Sequence, residues 1–131
     1  MKTEIIVVTG AYGTDTVKQY GGQRALLPII AGAGADGVEI RRELFAAGEL
    51  DSLPALAQEI ERQQLFAVYS APEALFTPQH TLNPNLAALL AEAQALNARQ
   101  LKLSLGHFRP GFDFTELKVA LEQHPVKLVV E

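Results

Sequence analysis

Apolar residues along the chain follow two alternating patterns. Short, mostly apolar runs occur at Ile5-Ile6-Val7-Val8, Val38-Glu39-Ile40, Leu65-Phe66-Ala67-Val68-Tyr69, Leu101-Lys102-Leu103-Ser104-Leu105 and Val126-Lys127-Leu128-Val129-Val130. All five predict strands; the continuous β-branched first run suits one buried on both faces, whereas the lysines in the fourth and fifth leave one face there less completely covered. Between them, apolar residues recur at helical spacing. The first helix carries Leu26, Leu27 and Ile30, and Pro28 within it predicts a late start or a kink. The second opens at Asp51-Ser52 with Pro54 in its first turn and repeats Leu53, Leu56 and Ile60. The third is read with Asn83 as N-cap and Pro84 at N1, followed by Leu86, Leu89, Leu90 and Ala93. The fourth starts at Asp113-Phe114-Thr115-Glu116, close to a capping box, and stops at His124-Pro125.

The predicted order is β-α-β-α-β-α-β-α-β, with strand centres separated by roughly 25 to 36 residues, the size of one βα unit. Such alternation produces a parallel sheet with right-handed crossovers. Helix-to-strand connections are tight, whereas the strand-to-helix segments from Gly10 to Gly22, Arg41 to Leu50, Ala71 to Leu82 and Gly106 to Phe112 are long. In α/β folds the site lies where these long loops gather, at the carboxyl ends of the strands. They hold Tyr12, Arg41, Arg42, Glu43, His80, His107 and Arg109.

Composition narrows the classes. The 131 residues suit one domain, with 48% hydrophobic and 20% charged residues. The absence of cysteine excludes a disulfide scaffold, a thiolate zinc site and a cysteine nucleophile. A net charge of −4 argues against nucleic acid and acidic membranes as partners. The apolar stretch after Met1-Lys2-Thr3-Glu4 is too short for a signal-peptide core, so the expected location is the cytoplasm.

Three motifs invite chemistry. Gly32-Ala33-Gly34-Ala35-Asp36-Gly37 spells G-x-G-x-x-G, but it follows a helix and precedes a strand. Dinucleotide binding needs the reverse order, so helix capping is the better reading. His80, His107 and His124 lack i,i+4 zinc spacing; His107 follows a strand and can reach a pocket, while His124 lies at the opposite end. Glu39 interrupts an apolar strand, which is costly unless the carboxylate faces a polar cavity or pairs with a cation such as Arg41 or Lys102. Glu131 follows Leu128-Val129-Val130 and places a second carboxylate at a strand's carboxyl end.

Gly34-Ala35-Asp36-Gly37-Val38-Glu39-Ile40-Arg41 with Glu43-Leu44-Phe45, then Tyr69-Ser70-Ala71-Pro72, Leu101-Lys102-Leu103-Ser104-Leu105-Gly106 and Leu128-Val129-Val130-Glu131 resemble the N-terminal half of a xylose isomerase-like TIM barrel. The nearest group is the sugar phosphate isomerase/epimerase family. This resemblance implies a (β/α)8 barrel, of which this chain is an α/β half-barrel of about five parallel strands and four helices. It also implies a divalent cation (Mn²⁺, Mg²⁺, Co²⁺ or Zn²⁺) held by a Glu-Asp-His-Glu set in the complete barrel. Glu131 matches the first ligand, and in such epimerases that glutamate also exchanges a proton beside the sugar carbonyl. Glu39, Ser104 and His107 fall where family members line the substrate pocket. The implied partners are a small sugar or sugar phosphate and either a missing C-terminal half-barrel or a second copy. A single carboxylate cannot hold the cation, so the chain alone is expected to bind no metal and to be inactive.

Competing readings are a non-catalytic half-barrel for assembly or ligand binding, a flavodoxin-like domain, and a barrel endonuclease acting at abasic DNA. Strand order 1-2-3-4-5 separates a barrel segment from the flavodoxin order 2-1-3-4-5. A half-barrel also leaves open edges, and Ile5, Val7, Leu128 and Val130 are expected to be uncovered and to drive association.

Overall fold

The computed structural model describes residues 3–131; Met1 and Lys2 lie outside the described residues. Five strands, β1 (Ile6–Val8), β2 (Gly37–Arg41), β3 (Phe66–Phe76), β4 (Ala98–Gly106) and β5 (Lys127–Val130), form one sheet in the order β1-β2-β3-β4-β5. Every neighbouring pair is parallel. This is the sequential order of a barrel segment, and it excludes the flavodoxin-like alternative.

Five α-helices follow the strands: α1 (Thr14–Gln19), α2 (Leu27–Gly32), α3 (Leu53–Arg62), α4 (Leu86–Ala95) and α5 (Thr115–Gln123). Short α1 was not predicted, because its six residues TDTVKQ bury only Val17 and carry no apolar stripe. Pro28 acts as expected: a 3₁₀ turn, Gln23–Leu26, precedes α2, and the proline sits in the first helical turn. Helix α4 starts two residues later than Asn83-Pro84 suggested, with Asn85 at the N-cap. Asn83 instead makes an Asx turn, its Oδ1 accepting from the Asn85 N–H at 2.8 Å.

Strand β3 runs well past Tyr69, into what the sequence suggested was loop. Its register with β4 breaks between Ser70 and Ala74, and Pro72, which has no N–H to donate, sits inside that break. The ladder then resumes with Ala74 opposite Ser104 and Phe76 opposite Gly106.

Side chains alternate between the sheet's two faces. Val38, Ile40, Ala67, Tyr69, Leu101 and Leu103 point outward and join Leu26, Ile30, Leu56, Ile60, Leu89 and Leu90 of the helical layer in the core. Val7 and Leu128 also pack against this core, so they are not uncovered; Ile5, Ile6 and Val130 are the exposed apolar residues of the edges. Continuous apolar runs carry no period-two signal, which is why the sequence misassigned the faces of β1 and β5.

The glycine-rich motif closes α2 and opens β2. Gly34 has φ +89°, and a Cβ on Gly37 would stand 2.5 Å from the Phe66 ring. These glycines serve a turn and a close packing contact. Among the described residues, no helix is long and apolar enough to cross a membrane.

Candidate functional site on the concave face

The opposite face of the sheet holds a groove of about 370 Å³ lined by Ile6, Val8, Glu39, Arg41, Val68, Gln100 and Lys102. Its centre is ionic. Lys102 Nζ lies 2.9 Å from Glu39 Oε1 and 3.6 Å from Glu131 Oε1. Arg41 Nη1 stands 3.7 Å from Glu39 Oε2, and Arg41 Nε donates to Glu43 Oε1 at 2.6 Å. The Glu39–Lys102 pair joins β2 to β4 across β3, where Val68 is buried beside it.

Each position follows from the ladders. Register sets Glu39 beside Val68, Arg41 beside Ser70 and Ser70 beside Lys102. Glu131 extends β5 by one step: its N–H donates to the Leu103 carbonyl at 2.9 Å, and its own carbonyl accepts from Leu105 N–H. That brackets Ser104 and places it next to Glu131 at the rim.

The top of β2 is fixed by a residue the sequence did not flag. Gln23 is fully buried and presents its side-chain amide as a substitute peptide. Its Oε1 accepts from the Arg41 N–H at 2.9 Å and from the Thr9 hydroxyl at 2.6 Å, while Nε2 donates to the Arg41 carbonyl at 2.8 Å. The strand end carrying Glu39 and Arg41 is thereby held on its open side.

The hydrogen bond to Glu39 raises the Lys102 ammonium above the usual lysine range despite burial, with the charge of Glu131 adding to it. The Glu43 hydrogen bond does the same for Arg41. Both cations therefore stay protonated at neutral pH.

Of the predicted site residues, the structure gathers Glu39, Ser104 and Glu131 around Lys102. The suspected pairing of Glu39 with Arg41 or Lys102 occurs with both. His107 belongs to a separate cluster on the rim, where its carbonyl accepts from His80 Nδ1–H at 2.9 Å and the two rings stand 6.4 Å apart. Nearby, Phe112 meets Phe76 edge-on at 4.8 Å, and Phe108 and Phe114 are partly exposed. His124, at the other end, reaches Gln94 Oε1 at 3.0 Å.

Among the described residues, no three His, Asp or Glu side chains converge on one point. Glu39 is engaged by two cations and Glu131 by one. These donors do not by themselves fit a divalent ion, which needs several oxygen or imidazole ligands.

No family model matches the chain, and no curated protein matches it. Among solved structures it is similar to the crystal structure, at 2.40 Å resolution, of a xylose isomerase domain-containing protein from Salmonella typhimurium LT2. The TM-score is 0.64 at 17% identity, and the match covers 99% of this chain and 49% of that one. The chain thus spans about half the length of this structural neighbour. With its sequential five-stranded parallel sheet, it has the fold of half a xylose isomerase-like TIM barrel.

Proposed function

We propose that this chain is the N-terminal half of a metal-dependent sugar or sugar phosphate isomerase/epimerase. The observation that carries this reading is the Glu39–Lys102–Glu131 array on the concave face, towards the carboxyl ends of the strands, in a xylose isomerase-like fold. Glu131 is the working group. Its side chain is 60% exposed, so a ligand in the groove can reach it. Its carboxylate takes the proton from the carbon beside the sugar carbonyl, giving an enediolate, and the same group or a facing carboxylate returns it. Glu39, Arg41 and Ser104 offer acceptors and donors to hydroxyl groups. A divalent cation in such a centre would polarise the sugar carbonyl; of these residues only Glu131 would offer it a ligand, and the others would have to come from outside this chain.

A second reading, a non-catalytic half-barrel, draws support from the uncovered Ile5 and Ile6 beside the open edge of β1. One experiment separates the two. The second half-barrel is supplied, in cis or in trans, with Mn²⁺ and a small ketose or ketose phosphate in D₂O. Deuterium should appear at the carbon next to the carbonyl and vanish in Glu131→Gln. Undiminished exchange in that variant overturns the role of Glu131, and no exchange with any sugar favours the binding module.

A further inference from the structure

We propose that the cavity between α1 and the segment after β2 is a binding site for a small zwitterion with an apolar body, of the class of a free aliphatic α-amino acid. The cavity measures about 270 Å³ and shares no lining residue with the concave groove. The inference therefore does not depend on the isomerase reading.

Its floor is apolar and tied to the core. Val17 of α1 is almost fully buried, and Leu44 and Phe45 pack against the core, where the Phe45 ring stands 6.4 Å from that of Tyr69. An engineered apolar cavity of about 150 Å³ admits benzene. This one has room for a branched aliphatic side chain and the two charged groups beside it. An apolar group displaces water from such a floor favourably.

The mouth carries opposite charges from two different elements. Lys18 borders the cavity from the last turn of α1, and Glu49 borders it from the segment after β2. Among the described residues neither has an ion-pair partner, and they do not pair with each other. Glu49 is nevertheless held in place. Its Oε1 accepts from the Ala46 N–H at 2.7 Å, and its carboxylate lies so close to Gly22 that a Cβ there would stand 3.2 Å from Oε1. A third charge, Glu43, is already engaged by Arg41 at 2.6 Å. The cavity thus offers an acceptor for an ammonium, a donor for a carboxylate and an apolar floor. An amine satisfies only Glu49 and a fatty acid only Lys18, whereas a zwitterion satisfies both.

The test titrates the ¹⁵N-labelled chain with L-leucine and follows the backbone amides of Lys18, Leu44 and Glu49. The three should shift together and saturate. Isoamylamine lacks the carboxylate, isocaproate lacks the ammonium, and glycine lacks the side chain. Each should bind at least about tenfold more weakly, because a hydrogen bond to a charged group or the burial of an apolar side chain is lost. Lys18→Met should lower leucine to the level of isoamylamine, and Glu49→Gln should lower it to the level of isocaproate. Glu49→Gln retains an oxygen for the Ala46 N–H, and neither side chain is buried, so both variants should keep the fold. The absence of a saturable leucine shift, an analogue that binds as tightly as leucine, or variants that leave leucine binding unchanged would overturn the proposal.

Discussion

The two faces of one sheet obey different rules, although adjacent residues of the same strands build them. The outer face is a dry layer: Val38, Ile40, Tyr69, Leu101 and Leu103 are almost fully buried against helices. Its main polar element is closed on itself. Arg42 makes a two-pronged contact with Glu92 at 2.7 and 3.2 Å, and the Tyr69 hydroxyl donates to the same carboxylate at 2.7 Å. Among the described residues no second layer covers the concave face, and its charges bridge strands in a half-open groove. The Arg42–Glu92–Tyr69 cluster on the outer face is satisfied within the fold, whereas the charges on the concave face keep exposed atoms. Stability resides on the first face, and the proposed ligand chemistry belongs to the second.

The sharpest way to break that contrast uses neighbours in β4. Leu101→Ala removes a fully buried side chain and should cost about 3 kcal/mol in denaturant unfolding. Lys102→Met, one residue on, removes a concave-face charge but leaves Glu39 its second cation, Arg41 at 3.7 Å, and should cost less, about 1–2 kcal/mol. Comparable losses at the two positions would show that the concave ion pairs hold the fold together.

The outer polar cluster yields a smaller effect with a pH signature. Burial pushes the Glu92 carboxyl up, but the hydrogen bonds from Arg42 and Tyr69 outweigh it and hold the group below the ordinary glutamate range. Burial and the Glu92 hydrogen bond likewise push the Tyr69 hydroxyl up, so it remains a donor at neutral pH. A carboxylate whose folded pKa is depressed stabilises the fold above its unfolded value, about 4.3 for glutamate, and that stabilisation fades as pH falls through the folded value. Glu92→Gln should therefore cost roughly 1–2 kcal/mol at neutral pH and flatten the decline of stability on acidification. An unchanged acid slope in the variant would remove Glu92 from the account.

The legible features were those with local signatures. Five apolar runs marked five strands, and the long segments after them marked the site's rim. Glu39 and Lys102 were visible as charges interrupting apolar runs, so a concave ion pair could be anticipated. Gln23 was not legible, because its partners Thr9 and Arg41 are brought to it only by the fold, and a lone glutamine has no pattern. The length of β3 was hidden by Pro72, which reads as a strand end until the broken register accommodates it. Glu131 was legible as a carboxylate at a strand end, but its link through Lys102 to Glu39 depends on the registers from β2 to β5, which no residue encodes alone.

The smallest effect on folding should accompany a large effect on association, and it probes the open side of the concave face. Ile6 lies on β1, which pairs only with β2, and is 46% exposed despite its size. It lines the groove that Glu39 and Lys102 cross. An apolar side chain beside an unpaired strand edge favours pairing with another edge, through backbone hydrogen bonds and burial together. Ile6→Thr retains β-branching and strand propensity while making that surface polar. Since Ile6 is already about half in water, unfolding free energy should move by no more than about 0.5 kcal/mol. Light scattering across a concentration series should show self-association in wild type and much less in the variant. The alternation of faces adds a control: Val7, one residue on, packs against the helical core, so Val7→Thr should destabilise the chain without relieving association. The opposite outcome, with Val7 governing association and Ile6 governing stability, would mean that β1 presents its other face to the groove.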